Sequence, residues 1–162
     1  MFNKKTDHAM RMIVFDIDGV ITDGKIQVDE NGHEYKRFLL NDIDAINCLH
    51  REGFVLAAIT GEDTPLVDYF RRKVSWKYFV SGCKSKLEAF KSILRDENCA
   101  LNEVAYIGDG LYDVPVLEYV SMSICPATAV PAAKKAAQIC LHSSGGEGCV
   151  VELYEMIKNG QI

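Results

Sequence analysis

Four consecutive apolar residues, Met12-Ile13-Val14-Phe15, end abruptly at an acid, Asp16. A strand with one buried face alternates apolar and polar positions. A strand that is apolar throughout has to be covered on both faces. That requirement shapes the rest of the chain, because it predicts helices on either side of a parallel sheet. The pattern recurs at Phe54–Ile59, Tyr78–Val80, Val104–Ile107, Ser123–Cys125 and Ile139–Leu141. Between these runs lie helical periods. Ala45, Ile46 and Leu49 share a face with Gly53 set to end that helix, and Thr64-Pro65 opens a helix to about Val74. Leu87, Phe90, Ile93 and Leu94 form one stripe. Short helices are predicted at Val114–Tyr119 and near Ala129–Ala137, and a last one over Cys149–Lys158. Strands alternating with helices predict an α/β fold: a doubly wound, Rossmann-like, mostly parallel sheet with helices on both faces, in a single domain over 1–162.

One segment breaks the rhythm. Two β-capable runs, Lys25–Val28 and His33–Phe38, flank the turn Asp29-Glu30-Asn31-Gly32. They predict a hairpin over about 25–38, projecting from the loop after the first strand. There it would serve as a flap over the functional edge or as a contact between copies.

Hydrophobic residues make up 48% of the chain and charged residues 25%, which excludes a disordered or coiled-coil protein. No apolar run is long enough for a membrane helix, so no membrane partner is expected. A net charge of −5 without a Lys/Arg block argues against nucleic acid. Met1 to Met10 is polar and lacks the apolar core of a signal peptide. The six cysteines (Cys48, Cys83, Cys99, Cys125, Cys140, Cys149) form no C-x-x-C pair, and are expected to be reduced thiols in the cytoplasm.

In open α/β sheets ligands bind beyond the carboxyl ends of the strands. The first run ends in Asp16-Ile17-Asp18-Gly19, the second in Thr60-Gly61, and Val104–Ile107 in Gly108-Asp109 with Asp113 four residues on. Lys86 follows the third run, at the start of the next helix. Taken singly, each residue suits a turn, a cap or a solvated helix. Taken together, the carboxylates repel one another unless a cation joins them. They suit a hard divalent ion, Mg²⁺, with a substrate phosphate, and the ammonium and hydroxyl suit the remaining phosphoryl oxygens. No G-x-x-x-x-G-K-[ST] is present, so the reading is phosphoryl transfer without a nucleotide loop.

These residues, in this order, resemble the four motifs of haloacid-dehalogenase-type phosphatases. The resemblance runs from about Met12 to Lys158. It is closer still to the cap-less branch of 3-deoxy-D-manno-octulosonate 8-phosphate and nonulosonate 9-phosphate phosphatases, through Thr22-Asp23-Gly24, Asp42 and the glycine-rich segment about 143–149 containing Gly145-Gly146-Glu147-Gly148. It implies that Asp16 is the nucleophile and Asp18 the acid and base. It also implies that Asp16, the Asp18 backbone carbonyl and Asp109 hold Mg²⁺ with Asp113 in support, and that Thr60 and Lys86 bind the phosphoryl group. Gly61, Glu62 and Asp42 are the further substrate-binding candidates. The implied substrate is a small phosphorylated sugar acid. The implied assembly is a homotetramer whose hairpins pack together and whose glycine-rich segment reaches a neighbour's site.

Several positions depart from the octulosonate pattern. Gly110 replaces an acid, Asn41-Asp42-Ile43 replaces R-D-G, Asp68-Tyr69-Phe70 aligns with an arginine cluster although Arg71 and Arg72 follow at once, and Val151 replaces an arginine. Arginine is the preferred bidentate partner of carboxylate and phosphate, so its loss weakens recognition of that sugar acid. Thr60-Gly61-Glu62 looks more like the nonulosonate branch. Two other classes compete. A non-catalytic partner of a sugar-acid cytidylyltransferase is compatible with the lost arginines. A receiver module is disfavoured because no acid ends Tyr78–Val80.

Overall fold

The computed structural model describes residues 10–162; the stretch read above for a signal peptide lies, apart from Met10, outside the described residues. Six strands form one parallel sheet: β1 (Met12–Phe15), β4 (Val55–Ile59), β5 (Tyr78–Val80), β6 (Val104–Ile107), β7 (Met122–Cys125) and β8 (Ile139–Cys140). Their order is β5-β4-β1-β6-β7-β8. The chain winds outward from β1 in one direction and then returns to its other side, so the strand order reverses between β1 and β6. This is the doubly wound arrangement expected from the alternating runs, and ligands bind at such a reversal.

Both faces of the sheet are covered, as the unbroken apolar runs require. In β1, Ile13 and Phe15 enter the core beneath α1 (Leu40–Arg51) and α6 (Cys149–Lys158). Met12 and Val14 enter the opposite core, beneath α3 (Lys86–Glu97), α4 (Val114–Tyr119) and α5 (Pro131–Ala136). β6 divides in the same way, with Ala105 and Ile107 on the first face and Val104 and Tyr106 on the second. Each fully buried large side chain contributes about 1.5–3 kcal/mol.

The helix ends follow local chemistry. Gly53 takes φ +96° after α1, and the Phe54 N–H reaches back to the Leu49 carbonyl, turning the chain into β4. Pro65 opens α2 (Pro65–Lys73) behind Thr64, as expected, although the Thr64 hydroxyl caps nothing. Ser85 caps α3 through the Glu88 N–H, and Asn98 ends it in the left-handed conformation.

The hairpin is shorter than the sequence suggests, pairing only β2 (Gln27–Val28) with β3 (Glu34–Tyr35). Its root is fixed separately. Thr22 and Phe38 form an antiparallel bridge, the Asp23 N–H donates to the Arg37 carbonyl, and the Arg37 guanidinium donates twice to Asp23 Oδ2.

The glycine-rich segment packs within its own chain, against the loop that follows β1. The Gly146 N–H donates to the Val20 carbonyl. A Cβ on Gly145 would stand 1.7 Å from the Gly19 carbonyl oxygen, and one on Gly146 2.4 Å from the Asp23 nitrogen. Backbone here lies directly on backbone, which only glycine permits.

Asp42 is also placed differently from its expected role beside the substrate. Its side chain is fully buried. It accepts N–H groups from Gly148, Val150 and Val151, each at 3.0 Å, and so caps the first turn of α6. Burial raises its pKa above the usual carboxylate range while the three N–H groups oppose the shift. Asp42→Ala would leave those donors unpaired. It is expected to cost about 2–3 kcal/mol in chemical denaturation with KM for a phosphomonoester unchanged. A raised KM with stability intact would return Asp42 to the substrate.

Candidate active site

Asp16 follows β1 immediately, and its N–H continues the ladder by donating to the Ile107 carbonyl. Its side chain is buried. Oδ1 accepts the Ile17 N–H at 2.8 Å and lies 2.7 Å from Lys86 Nζ. Lys86, the first residue of α3, also lies 2.7 Å from Asp113 Oδ1, with its own side chain 8% exposed. Asp113 accepts two more backbone donors on Oδ2, from Gly110 at 2.9 Å and Asp109 at 3.2 Å. The buried Tyr106 hydroxyl completes its shell at Oδ1. One carboxylate therefore ties the loop after β6 to the lysine of α3.

Asp109 closes the cluster. Carboxylate oxygens of Asp16, Asp109 and Asp113 all lie within 4.8 Å of one another. The backbone comes close as well. A Cβ on Gly19, at φ +87°, would stand 1.9 Å from Asp109 Oδ2, and one on Gly108 2.5 Å from Asp113 Cγ. Burial, then the neighbouring Asp113 charge, pushes the Asp16 carboxyl well above its ordinary range. The same two causes raise Asp109 to about 6. Lys86 is raised above the usual lysine value: burial alone would lower it, and Asp16 and Asp113 more than reverse that. Three carboxylates and one ammonium leave an excess of two negative charges, and an all-oxygen donor set of this kind suits a hard divalent cation.

A cleft of about 460 Å³ opens on this cluster. Of the residues singled out from sequence, it brings together Asp16, Asp18, Thr60, Gly61, Glu62 and Lys86. Asp109 and Asp113 adjoin Asp16 through the cluster, and Asp42 stands apart. Thr60 follows β4 directly and is buried; its Oγ1 accepts the Glu62 N–H at 3.1 Å, which leaves the hydroxyl proton free to donate. Glu62 is exposed at the rim. Asp18 Oδ1 accepts from Thr22 Oγ1 at 3.2 Å and from Lys36 Nζ at 2.8 Å.

Sequence reasoning missed four residues here. Cys83, Lys84 and Tyr112 line the cleft, with Tyr112 82% exposed, and Lys36 meets Asp18 from the hairpin. Cys83-Lys84 sits between the third strand and the start of α3, already a strand-end position, so attention to the whole connection rather than to Lys86 alone would have found it.

Comparison with known proteins assigns the chain to a family. Residues 79–153 match the model of the haloacid dehalogenase-like hydrolases. The chain is 34% identical over 148 residues to the 3-deoxy-D-manno-octulosonate 8-phosphate phosphatase KdsC of Salmonella typhi, covering 91% of this chain and 79% of that one. The Moraxella catarrhalis phosphatase of the same designation, solved with magnesium, phosphate and KDO, superposes with a TM-score of 0.88 at 26% identity. That match covers 94% of this chain and 87% of the other. The cobalt-bound Haemophilus influenzae enzyme gives 0.88 at 28% identity over 95% and 90%. The chain belongs to the haloacid dehalogenase-like hydrolases and is one of their phosphatases. The relatives named here, each matched over more than nine-tenths of this chain, are octulosonate 8-phosphate phosphatases by designation.

Proposed function

We propose that the chain is a Mg²⁺-dependent phosphatase of a phosphorylated sugar acid of the octulosonate 8-phosphate or nonulosonate 9-phosphate type. The observation that carries this reading is Asp16, held 2.7 Å from Lys86 within a three-carboxylate cluster on an open cleft. An Asp16 oxygen attacks phosphorus as the bond to the sugar oxygen breaks, and the leaving oxygen takes a proton from Asp18. Water then attacks the aspartyl phosphate, gives its proton to Asp18, and releases phosphate and free Asp16. Lys86 and the Thr60 hydroxyl bind the transferring oxygens. The Asp16 and Asp109 carboxylates and the Asp18 carbonyl would hold Mg²⁺, with Asp113 in support through Lys86 and the Asp109 loop. Bound there, the ion would offset the repulsion between an anionic nucleophile and an anionic phosphate.

The catalytic unit is taken as the whole chain. Free thiols at all six cysteines fit a cytoplasmic setting. No helix among the described residues is long and apolar enough to cross a membrane. Exposed Ile26, Val28 and Tyr35 on the hairpin support packing of four copies there, which light scattering would read as a tetramer.

The substrate is tested by assaying phosphate release from a panel of phosphorylated sugar acids, with and without Mg²⁺. We expect Mg²⁺-dependent turnover, with nonulosonate 9-phosphates preferred over octulosonate 8-phosphate because Glu62 and the missing arginines favour them. Hydrolysis of none of the panel would end the sugar-acid reading. A non-catalytic partner of a sugar-acid cytidylyltransferase would then be the better account.

A further inference from the structure

The geometry points to Lys36 of the hairpin as the residue that positions Asp18 for proton transfer. Nothing in the hairpin's composition requires this lysine to leave solvent. Glu34, Tyr35 and Arg37 around it are exposed, yet the Lys36 side chain is only 5% exposed. Its ammonium lies 2.8 Å from Asp18 Oδ1. Removing an ammonium from water is costly, and a tether for a surface hairpin does not need it. Arg37 already ties the root to Asp23, and the Thr22–Phe38 bridge and the Asp23 N–H fix the backbone on either side. With Arg37 outward, Lys36 and Phe38 turn inward on the same face of the arm, and the lysine meets the catalytic loop.

The consequence lies in how the Asp18 carboxylate is held. Oδ1 faces two donors, Lys36 Nζ and Thr22 Oγ1. Oδ2 is buried and has no hydrogen-bond partner among the described residues. The two donors on Oδ1, with Oδ2 enclosed by the protein, fix the rotation of the carboxylate beside the cleft that Asp18 lines. In the first step the new bond from Asp16 to phosphorus forms as the ester bond breaks. The electron pair of that bond goes to the leaving oxygen, which takes a proton from the Asp18 carboxyl. Asp18 is left a carboxylate facing the Lys36 ammonium. The hairpin thus supplies the residue that orients the acid as well as covering the site.

This role rests on the phosphatase reading, and the test separates the two. Phenyl phosphate and p-nitrophenyl phosphate have similar shapes, but the phenol of the first is the poorer leaving group and depends more on a proton donor. Their kcat/KM values report the step in which that group departs. Lys36→Met should lower kcat/KM for phenyl phosphate about tenfold further than for p-nitrophenyl phosphate. Lys36→Arg, which keeps the cation, should recover most of that difference. In an Asp18→Asn background, Lys36→Met should add no further discrimination between the two esters. Equal losses on both esters, or discrimination that persists without Asp18, would reduce Lys36 to a tether of the hairpin and overturn the inference. A wild-type chain that hydrolyses neither ester would instead overturn the phosphatase reading, and this role with it.

Discussion

Asp16→Asn is expected to lose at least about 10⁴-fold in turnover while the fold becomes no less stable. The amide keeps the size of the side chain but cannot form an aspartyl phosphate. The stability half of the expectation comes from electrostatics. Burial and Asp113, followed by Asp109, hold the Asp16 carboxyl well above its ordinary range, so its charge opposes folding at neutral pH. A group whose pKa is raised by folding binds its proton more tightly in the native state. Stability without a cation should therefore rise as pH falls from about 7 through the Asp109 value of about 6. Mg²⁺ should relieve the same repulsion, raising Tm more at pH about 7.5 than at about 5.5. Calorimetry across that range, beside an aryl phosphate assay, checks both halves. Retained activity in Asp16→Asn removes the nucleophile, and a large fall in its Tm removes the electrostatic account.

Lys86→Met is expected to damage fold and activity together. Methionine fills similar space, but two buried carboxylates then face each other without the ammonium that stands 2.7 Å from each. Breaking such a buried arrangement costs about 3–5 kcal/mol. The loss should be largest near neutral pH and shrink as acid protonates the orphaned carboxylates. Turnover should fall about 10²–10³-fold, since the phosphoryl oxygens lose a fixed cation as well. Denaturation at two pH values separates this from loss of packing, which would cost the same at both. A Lys86→Met variant with wild-type stability would show that the ammonium is not what balances Asp16 and Asp113.

Much of this arrangement is legible from local sequence because local physics sets it. Met12–Phe15 and Val104–Ile107 announce strands covered on both faces, and the acids that end them mark the rim before any topology is known. The bounds of α4 and α6 follow from Pro115 after Asp113 and from the apolar run after Gly148. What escapes is the long-range pairing. Asp42 reads as a polar residue near a helix start, and only the approach of α6, more than a hundred residues on, makes it a cap. Lys36 lies in an arm whose alternation is imperfect, so its inward turn depends on the root being fixed to Thr22 and Asp23. Tyr106 reads as one more apolar strand residue, and its hydroxyl gains a role only when Asp113 folds over it.

Every side chain assigned to the chemistry precedes Val114, yet the loop carrying Asp18 is braced by glycines thirty residues beyond that point. A fragment stopping after α4 would contain the complete set of reactive groups and still lack the surface that shapes their backbone. Catalytic competence here therefore depends on a segment that contributes no reactive group, and a chain cut between α4 and that segment should hold all the acids and yet turn nothing over.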